Sequence, residues 1–283
     1  MEPVSPPDPA YLALLLQPGR LGQPLVLLVL CAARPLGFVY LMPLFGRFHL
    51  NTGYLRGAVM VAMIMPLFPA ALAQLAADPT LTAPARLPGL VAREFVVGAI
   101  LGLLTGIPFW AAMAAGDIID MQRGASMAQL IDPGSGGESS VTGTLLLLVC
   151  LLLLAASGAL APALFGPLFE SYRVVPLFDP LPPVDPATGA LALGLLDTLL
   201  RSGVLLALPL VVPLLLVELG IVIATKYLPQ LNAMFLSMSV KQGVHAVLLA
   251  VSATLLAGYA LDLTGHPALS PEALRAFLLG TTR

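Results

Sequence analysis

Long apolar stretches alternate with short polar breaks along this chain of 283 residues. Six apolar blocks run over roughly Leu21–Leu44, Tyr54–Ala77, Leu90–Ala115, Val141–Phe169, Gly189–Ala224 and Met234–Leu263. Charge-free runs such as Ser139–Phe169 exceed the ~20 residues that a helix needs to cross a bilayer. The pattern predicts an all-α membrane protein, organised over 1–283 as a single all-helical unit with no soluble domain.

Prolines set the detail of that prediction. Arg34-Pro35 interrupts the first block, Pro66 and Pro69 the second, Pro108 the third and Pro162 the fourth. Each proline removes a backbone donor and frees a carbonyl, which neighbouring helices, water or side chains must satisfy. The repetition favours bent, proline-broken helical hairpins packed against protein, with ordinary kinks as the other reading. The fifth block, with Asp197, Arg201, Pro209 and Pro213, is too long for one straight span and is expected to break near Arg201–Gly203. A proline-rich loop over 170–188 is expected to be extended and helix-free. The remaining parts are an N-terminal segment, 1–20, and a C-terminal tail, 266–283. In the tail, Ser270-Pro271-Glu272 has the makings of a helix start.

Composition narrows the class further. The chain is 58% hydrophobic and 10% charged, with a formal net charge of −2 and a mean hydropathy of +0.96. A nucleic-acid binder would show a basic stripe, and none is present. Cys31 and Cys150 both sit inside apolar blocks, which disfavours a disulfide framework or a cysteine metal site. The acidic, proline-rich start lacks the basic region of a cleaved signal peptide, so the first block is expected to stay on the protein. Basic residues are spread over many breaks, and the positive-inside rule does not settle orientation.

One break differs from the others. Gly116–Ser140 carries Asp117, Asp120, Arg123, Asp132 and Glu138 between two strongly apolar blocks. Charge beside a hydrophobic span is costly unless it is paired or lines water. Gly116, Asp120 and Gly124 recur at i, i+4, and Asp120 and Arg123 are spaced to pair on a helix. Asp132, Pro133 and Gly134 then end the helix in a Gly/Ser-rich turn. A charge-paired structural connector accounts for these residues. A constriction inside a conduit also does, and Met121 and Met127 suit it because methionine adapts to irregular surfaces. Gln122 and Ser126 complete the candidate set.

Three further features stand out. Gly98, Gly102 and Gly106 lie four apart on one helix face and permit close backbone approach, within the chain or to another subunit. Arg93-Glu94, just before them, either pair with charges on a neighbour or sit at the water boundary. Glu218 is a carboxylate inside an apolar run, and a separate partner suits it better than Lys226 two turns on. Lys226, Pro229, Gln230 and Asn232 form a polar corner at the end of a long helix, where a cation suits the dipole and the amides can cap backbone or meet a partner. His49 reads as a loop residue, His245 as a packed helix residue and His266 as a turn residue. These histidines and the two cysteines show no metal-ligand spacing, and no nucleophile–base constellation is visible.

The arrangement PFWAAMAAGDIIDMQRGAS, then DPGSGGESS, then KYLPQLNAMFLSMSVK about ninety residues after the second, resembles the T component of the type III secretion export apparatus. It is similar, more distantly, to the flagellar export protein R family. Gln122–Ser126 and Phe235–Met238 favour an injectisome member, and the extra glycine in Asp132–Glu138 is a departure. The resemblance covers almost the whole chain. It implies a non-enzymatic, multi-pass subunit of a hetero-oligomeric export gate in the bacterial inner membrane, without cofactors. The implied partners are R- and S-type gate subunits, U- and V-type export components, membrane lipid and unfolded substrate proteins in transit. It also implies that Gly116–Pro133 contributes a plug-like closure. A secondary transporter or channel with broken helices is the competing class, but no internal repeat relates the two halves.

Overall fold

The computed structural model describes residues 22–47, 53–124, 140–179, 186–227 and 233–264. In these stretches the chain forms α1 (Gly22–Leu41), α2 (Pro43–Arg47), α3 (Gly53–Ile64) and α4 (Phe68–Ala77), then a 3₁₀ turn at Pro79–Thr82. There follow α5 (Leu87–Arg123), α6 (Val141–Ala156), α7 (Leu160–Val174), α8 (Pro186–Tyr227) and α9 (Ala233–Thr264). Among the described residues, four helices are long and apolar enough to cross a membrane, or up to six spans if each bent pair counts as one. The described residues contain no strand. The chain is an all-α, multi-pass membrane protein.

Breaks occur where proline or glycine coincides with a lost backbone bond. The second block bends by 55° between α3 and α4, at Met65-Pro66-Leu67. The fourth bends by 87° between α6 and α7, where Gly158 takes φ +72°, the left-handed conformation that ends helices. Elsewhere prolines are absorbed: Pro35, Pro108, Pro167, Pro209 and Pro213 all lie inside continuous helices. Three expectations change as a result. The fifth block is one helix, Pro186–Tyr227, with no break at Arg201–Gly203. The helix through Gly116 ends at Arg123, with Gly124 at φ +80°, well before Asp132. Residues Glu170–Val174 belong to α7 rather than to an extended loop. The proposed C-terminal helix after Ser270, and His49 and His266, lie outside the described residues.

The helices form two compact units, one of residues 1–106, 162–189 and 271–283, the other of 107–161 and 190–270. In the first, α1, α3, α4 and the 3₁₀ turn enclose a core of Leu27, Leu30, Cys31, Ile64, Leu72 and Leu75, joined by Leu177. A β-carbon at Gly98 would overlap the Arg34 carbonyl, and one at Gly102 the Phe38 carbonyl. The paired spacings 34 to 38 and 98 to 102 mean that α1 and α5 run parallel in close contact. Two membrane-length helices can run parallel only if the chain returns between them, and the bent α3–α4 pair makes that return. Asp78 opens the 3₁₀ turn by accepting from the Thr80 amide at 2.9 Å and its hydroxyl at 2.7 Å. Those bonds, the hydroxyl's first, hold the Asp78 carboxyl below its ordinary value.

In the second unit, Gly116 on α5 meets Gly143 on α6 with no room for a β-carbon on Gly116. Gly203 on α8 lies so near α5 that an added β-carbon would stand 3.3 Å from the Ala114 β-carbon and 3.4 Å from the Ala111 carbonyl oxygen. This glycine marks a close approach, not a break. Contacts at two levels set the directions of the remaining helices: Gly203 beside Ala111 and Glu218 beside Gln122 for α8, Gly143 beside Met113 and Thr142 at Asp120 for α6, and Lys241 at Gln122 and His245 at Thr142 for α9. Helices α5 and α8 run one way and α6 and α9 the other.

Candidate functional site

Five buried polar residues of the second unit, Asp120, Ser140, Thr142, Lys241 and His245, gather in one layer, toward the end of the unit where α5 leads to α6 and α8 leads to α9. Its centre is Asp120, which is buried. Its carboxylate accepts from the Ser140 hydroxyl at 2.7 Å, the Thr142 amide at 3.2 Å and the Thr142 hydroxyl. Arg123 Nε stands 2.9 Å from Asp120 Oδ1, the i, i+3 ion pair that the sequence spacing allows. The Ser140 hydroxyl also accepts from the Gly143 amide at 2.8 Å as the N-cap of α6. Two of the free amides at the start of α6 are thus satisfied, one by its own cap and one by a carboxylate from another helix. The negative charge sits at the positive end of the α6 dipole.

The opposite end effect is met by Lys241. Its ammonium donates to the Gln122 carbonyl at 3.0 Å, in the last turn of α5, and to Glu218 Oε2 at 2.8 Å. A cation at a helix C-terminus complements free carbonyls and dipole together. Gln122 Nε2 donates to the same Glu218 oxygen at 3.1 Å, and Arg123 donates to Gln242 at 3.2 Å. His245, one turn beyond Lys241 and buried, has Nε2 3.4 Å from the Thr142 hydroxyl. All four helices of the unit therefore meet in this layer. Two acids, Asp120 and Glu218, face two bases, Arg123 and Lys241.

The layer brings together four of the sequence candidates, Asp120, Gln122, Arg123 and Glu218. Gly116 lies a turn below, at the α5–α6 crossing, and Gly124 ends α5. Asp117 and Met121 are exposed. Lys226 is exposed near the end of α8, two turns from Glu218, whose partners are Lys241 and Gln122. Gly98 and Gly102 lie against α1 in the other unit, and Gly106 is buried. Ser126, Met127, Asp132, Pro133, Gly134, Pro229, Gln230 and Asn232 lie outside the described residues.

The first unit holds a second charged centre. Of the two readings of Arg93-Glu94, pairing with charges on a neighbour and a place at the water boundary, the structure shows the pairing. Arg34 and Glu94 are both 0% exposed. Arg34 Nε and Nη2 donate to the two Glu94 oxygens at 2.8 Å and 3.0 Å, a bidentate pair. Nη1 reaches the Ser171 hydroxyl at 3.0 Å, Nη2 also reaches the Val175 carbonyl at 2.8 Å, and the guanidinium lies 4.0 Å from the Tyr172 ring centre. Arg93 donates to the Pro176 carbonyl at 3.0 Å and the Leu177 carbonyl at 3.1 Å. Two arginines from other helices so cap three successive carbonyls just past the end of α7. Buried charge is tolerated here because nearly every donor has an acceptor. The signal was available: opposite charges in two apolar blocks call for each other.

Among the described residues, no group of His, Cys, Asp or Glu has the geometry to hold a metal ion. Cys31 and Cys150 are buried free thiols.

The family described as Bacterial export proteins, family 1, matches residues 25–266. Yop proteins translocation protein T of Yersinia pestis is 30% identical over 230 residues, covering 81% of this chain and 86% of that protein. Surface presentation of antigens protein SpaR of Salmonella typhimurium is 32% identical over 225 residues, covering 78% and 82%. Flagellar biosynthetic protein FliR of Bacillus subtilis is 28% identical over 163 residues, covering 57% and 62%.

Proposed function

The chain belongs to the bacterial export proteins, family 1, and we propose that its stretch Gly116–Ser140 closes the resting conduit of the gate in which it is a subunit. That gate is the inner-membrane export gate of a type III protein secretion system. The match across residues 25–266 carries this assignment, together with relatives named for Yop protein translocation, surface presentation of antigens and flagellar biosynthesis. The chain works as a multi-pass structural component of a secretion apparatus, in complex with other export subunits.

The finer reading rests on the polar layer. Asp120 precedes the central part of the stretch and Ser140 ends it, and the 2.7 Å hydrogen bond between them joins the two ends. The Asp120–Ser140 contact is attached to all four helices of the unit and would serve as a fixed neck for a closure formed by this stretch. Such a neck holds a closure in place while its backbone adjusts, and Gly124 already adopts a conformation that suits glycine. Unfolded substrate proteins pass this stretch when the gate opens. R- and S-type subunits surround the chain, U- and V-type components adjoin it, and Lys226, Pro229, Gln230 and Asn232 form a docking corner for assembly.

The test uses the assembled gate. Cysteines at Ser126 and Ser135 should crosslink to a stalled substrate, whereas a cysteine at Leu152, exposed on α6, should not. Shortening the turn Gly134–Gly137 should let small solutes leak through the membrane. Tight membranes and absent crosslinks would reduce the stretch to a connector.

A further inference from the structure

Helix α9 has its polar and apolar faces reversed. Among the described residues its buried positions are Lys241, His245 and Ser252, and spacings of four and seven put them on one face. No apolar side chain of α9 is buried there, whereas Phe235, Val247 and Val251 are exposed. The other three helices of the unit bury apolar side chains, such as Ile119 on α5, Leu147 on α6 and Leu210 on α8.

Polar contacts therefore fasten α9 to its neighbours. Lys241 reaches the Gln122 carbonyl and Glu218, Gln242 accepts from Arg123, and His245 stands beside the Thr142 hydroxyl. Such contacts differ from apolar packing in what water does to them. Water can replace each at small net cost, because one hydrogen bond is exchanged for another. Apolar surfaces it drives together. His245 goes further, since its Nδ1 is buried without a hydrogen-bond partner among the described residues. A buried polar atom left unpaired is costly, and wetting relieves that cost. From Lys241 to Ser252 the polar stripe runs about 16 Å along the helix, at 1.5 Å per residue.

We propose that α9 is the moving wall of the second unit: when the gate opens, α9 parts from the α5–α6 junction and its Lys241–His245–Ser252 face comes to line water. This rests on the reading of the chain as a gate subunit and names the element that moves in it.

The experiment uses the full chain in the assembled gate. Ser252→Cys is the probe, labelled by a membrane-impermeant maleimide and counted above the unsubstituted chain, whose Cys31 and Cys150 are buried. Labelling should be low at rest and rise severalfold when a substrate is stalled in the gate. His245→Leu, added to the probe, makes the contact one that prefers to stay dry. Burying a leucine rather than wetting it should cut labelling in stalled gates about tenfold, while recovery of export subunits holds. Should that variant not assemble, the Ser252→Cys comparison decides by itself. Equal labelling in resting and stalled gates, or labelling unchanged by His245→Leu, would overturn the proposal. Substrate crosslinks at Ser126 without any gain at residue 252 would overturn it too, yet leave the closure reading standing. A gain at residue 252 without those crosslinks would support the moving helix and sink the closure reading.

Discussion

Replacing Arg34 by methionine should be among the most damaging single changes to the first unit. It removes both charge-assisted bonds to Glu94, the bond to Ser171 and the cap on the Val175 carbonyl. Glu94 would remain buried, with only Arg93 near it at 3.4 Å. Breaking a buried pair by deleting one partner typically costs about 3–5 kcal/mol. The figure belongs near the upper end here, because the Val175 carbonyl loses its arginine donor too. Arg34→Lys should lose about 2 kcal/mol, since an ammonium cannot bridge both carboxylate oxygens while also reaching Val175. The double change Arg34→Met with Glu94→Leu removes the stranded charge and should recover about half of the loss. The assay is thermal unfolding of the purified export complex in mild detergent, alongside the subunit's abundance in membranes. If the double variant is no more stable than Arg34→Met, then stranding of Glu94 is not the cause, and the assigned energetics are wrong.

Other outcomes follow from the same geometry. Asp120→Ala strips the α6 amide and two hydroxyls of their acceptor and should destabilise the second unit by about 1–2 kcal/mol, the scale of a lost helix cap, whereas Asp120→Asn should lose less; proteolysis of assembled complexes reads the difference. Gly98→Ala and Gly102→Ala force a methyl into the α1 backbone and should each cost about 1–3 kcal/mol. Gly194→Ala and Gly220→Ala meet open space and should be neutral or gain up to about 1 kcal/mol, as thermal scans of the four variants would show. At Asp78 the lowered carboxyl value means that its hydrogen bonds contribute above the ordinary carboxylate range and are lost as pH falls through the folded-state value. The protection factor of the Thr80 amide, its exchange relative to an unstructured peptide at the same pH, should therefore fall only at acid pH, and Asp78→Ala should abolish that dependence.

The sequence by itself determined what depends on near neighbours. Apolar length fixed the membrane class and the helices, because a spanning segment must satisfy its own backbone. Helical spacing placed Asp120 beside Arg123, a pair three residues apart. The resemblance carried by the two polar motifs agreed with the family match over residues 25–266. Tertiary structure decided what depends on distant partners. Arg34 and Glu94 are 60 residues apart, and neither residue's local context says that the other will enclose its charge. Glu218 chose Lys241, 23 residues away, over Lys226 on its own helix. Gly203 reads alike in sequence as a helix break or a contact point, and only the nearness of Ala111 and Ala114 makes it a contact. Pro66 and Pro209 are the same residue in similar apolar runs, yet only the first lies at a helix break, because a proline removes one bond and the surrounding helices decide whether the rest survive. Local periodicity records which face of a helix is apolar, but burial of a charge is settled by what lies across from that face.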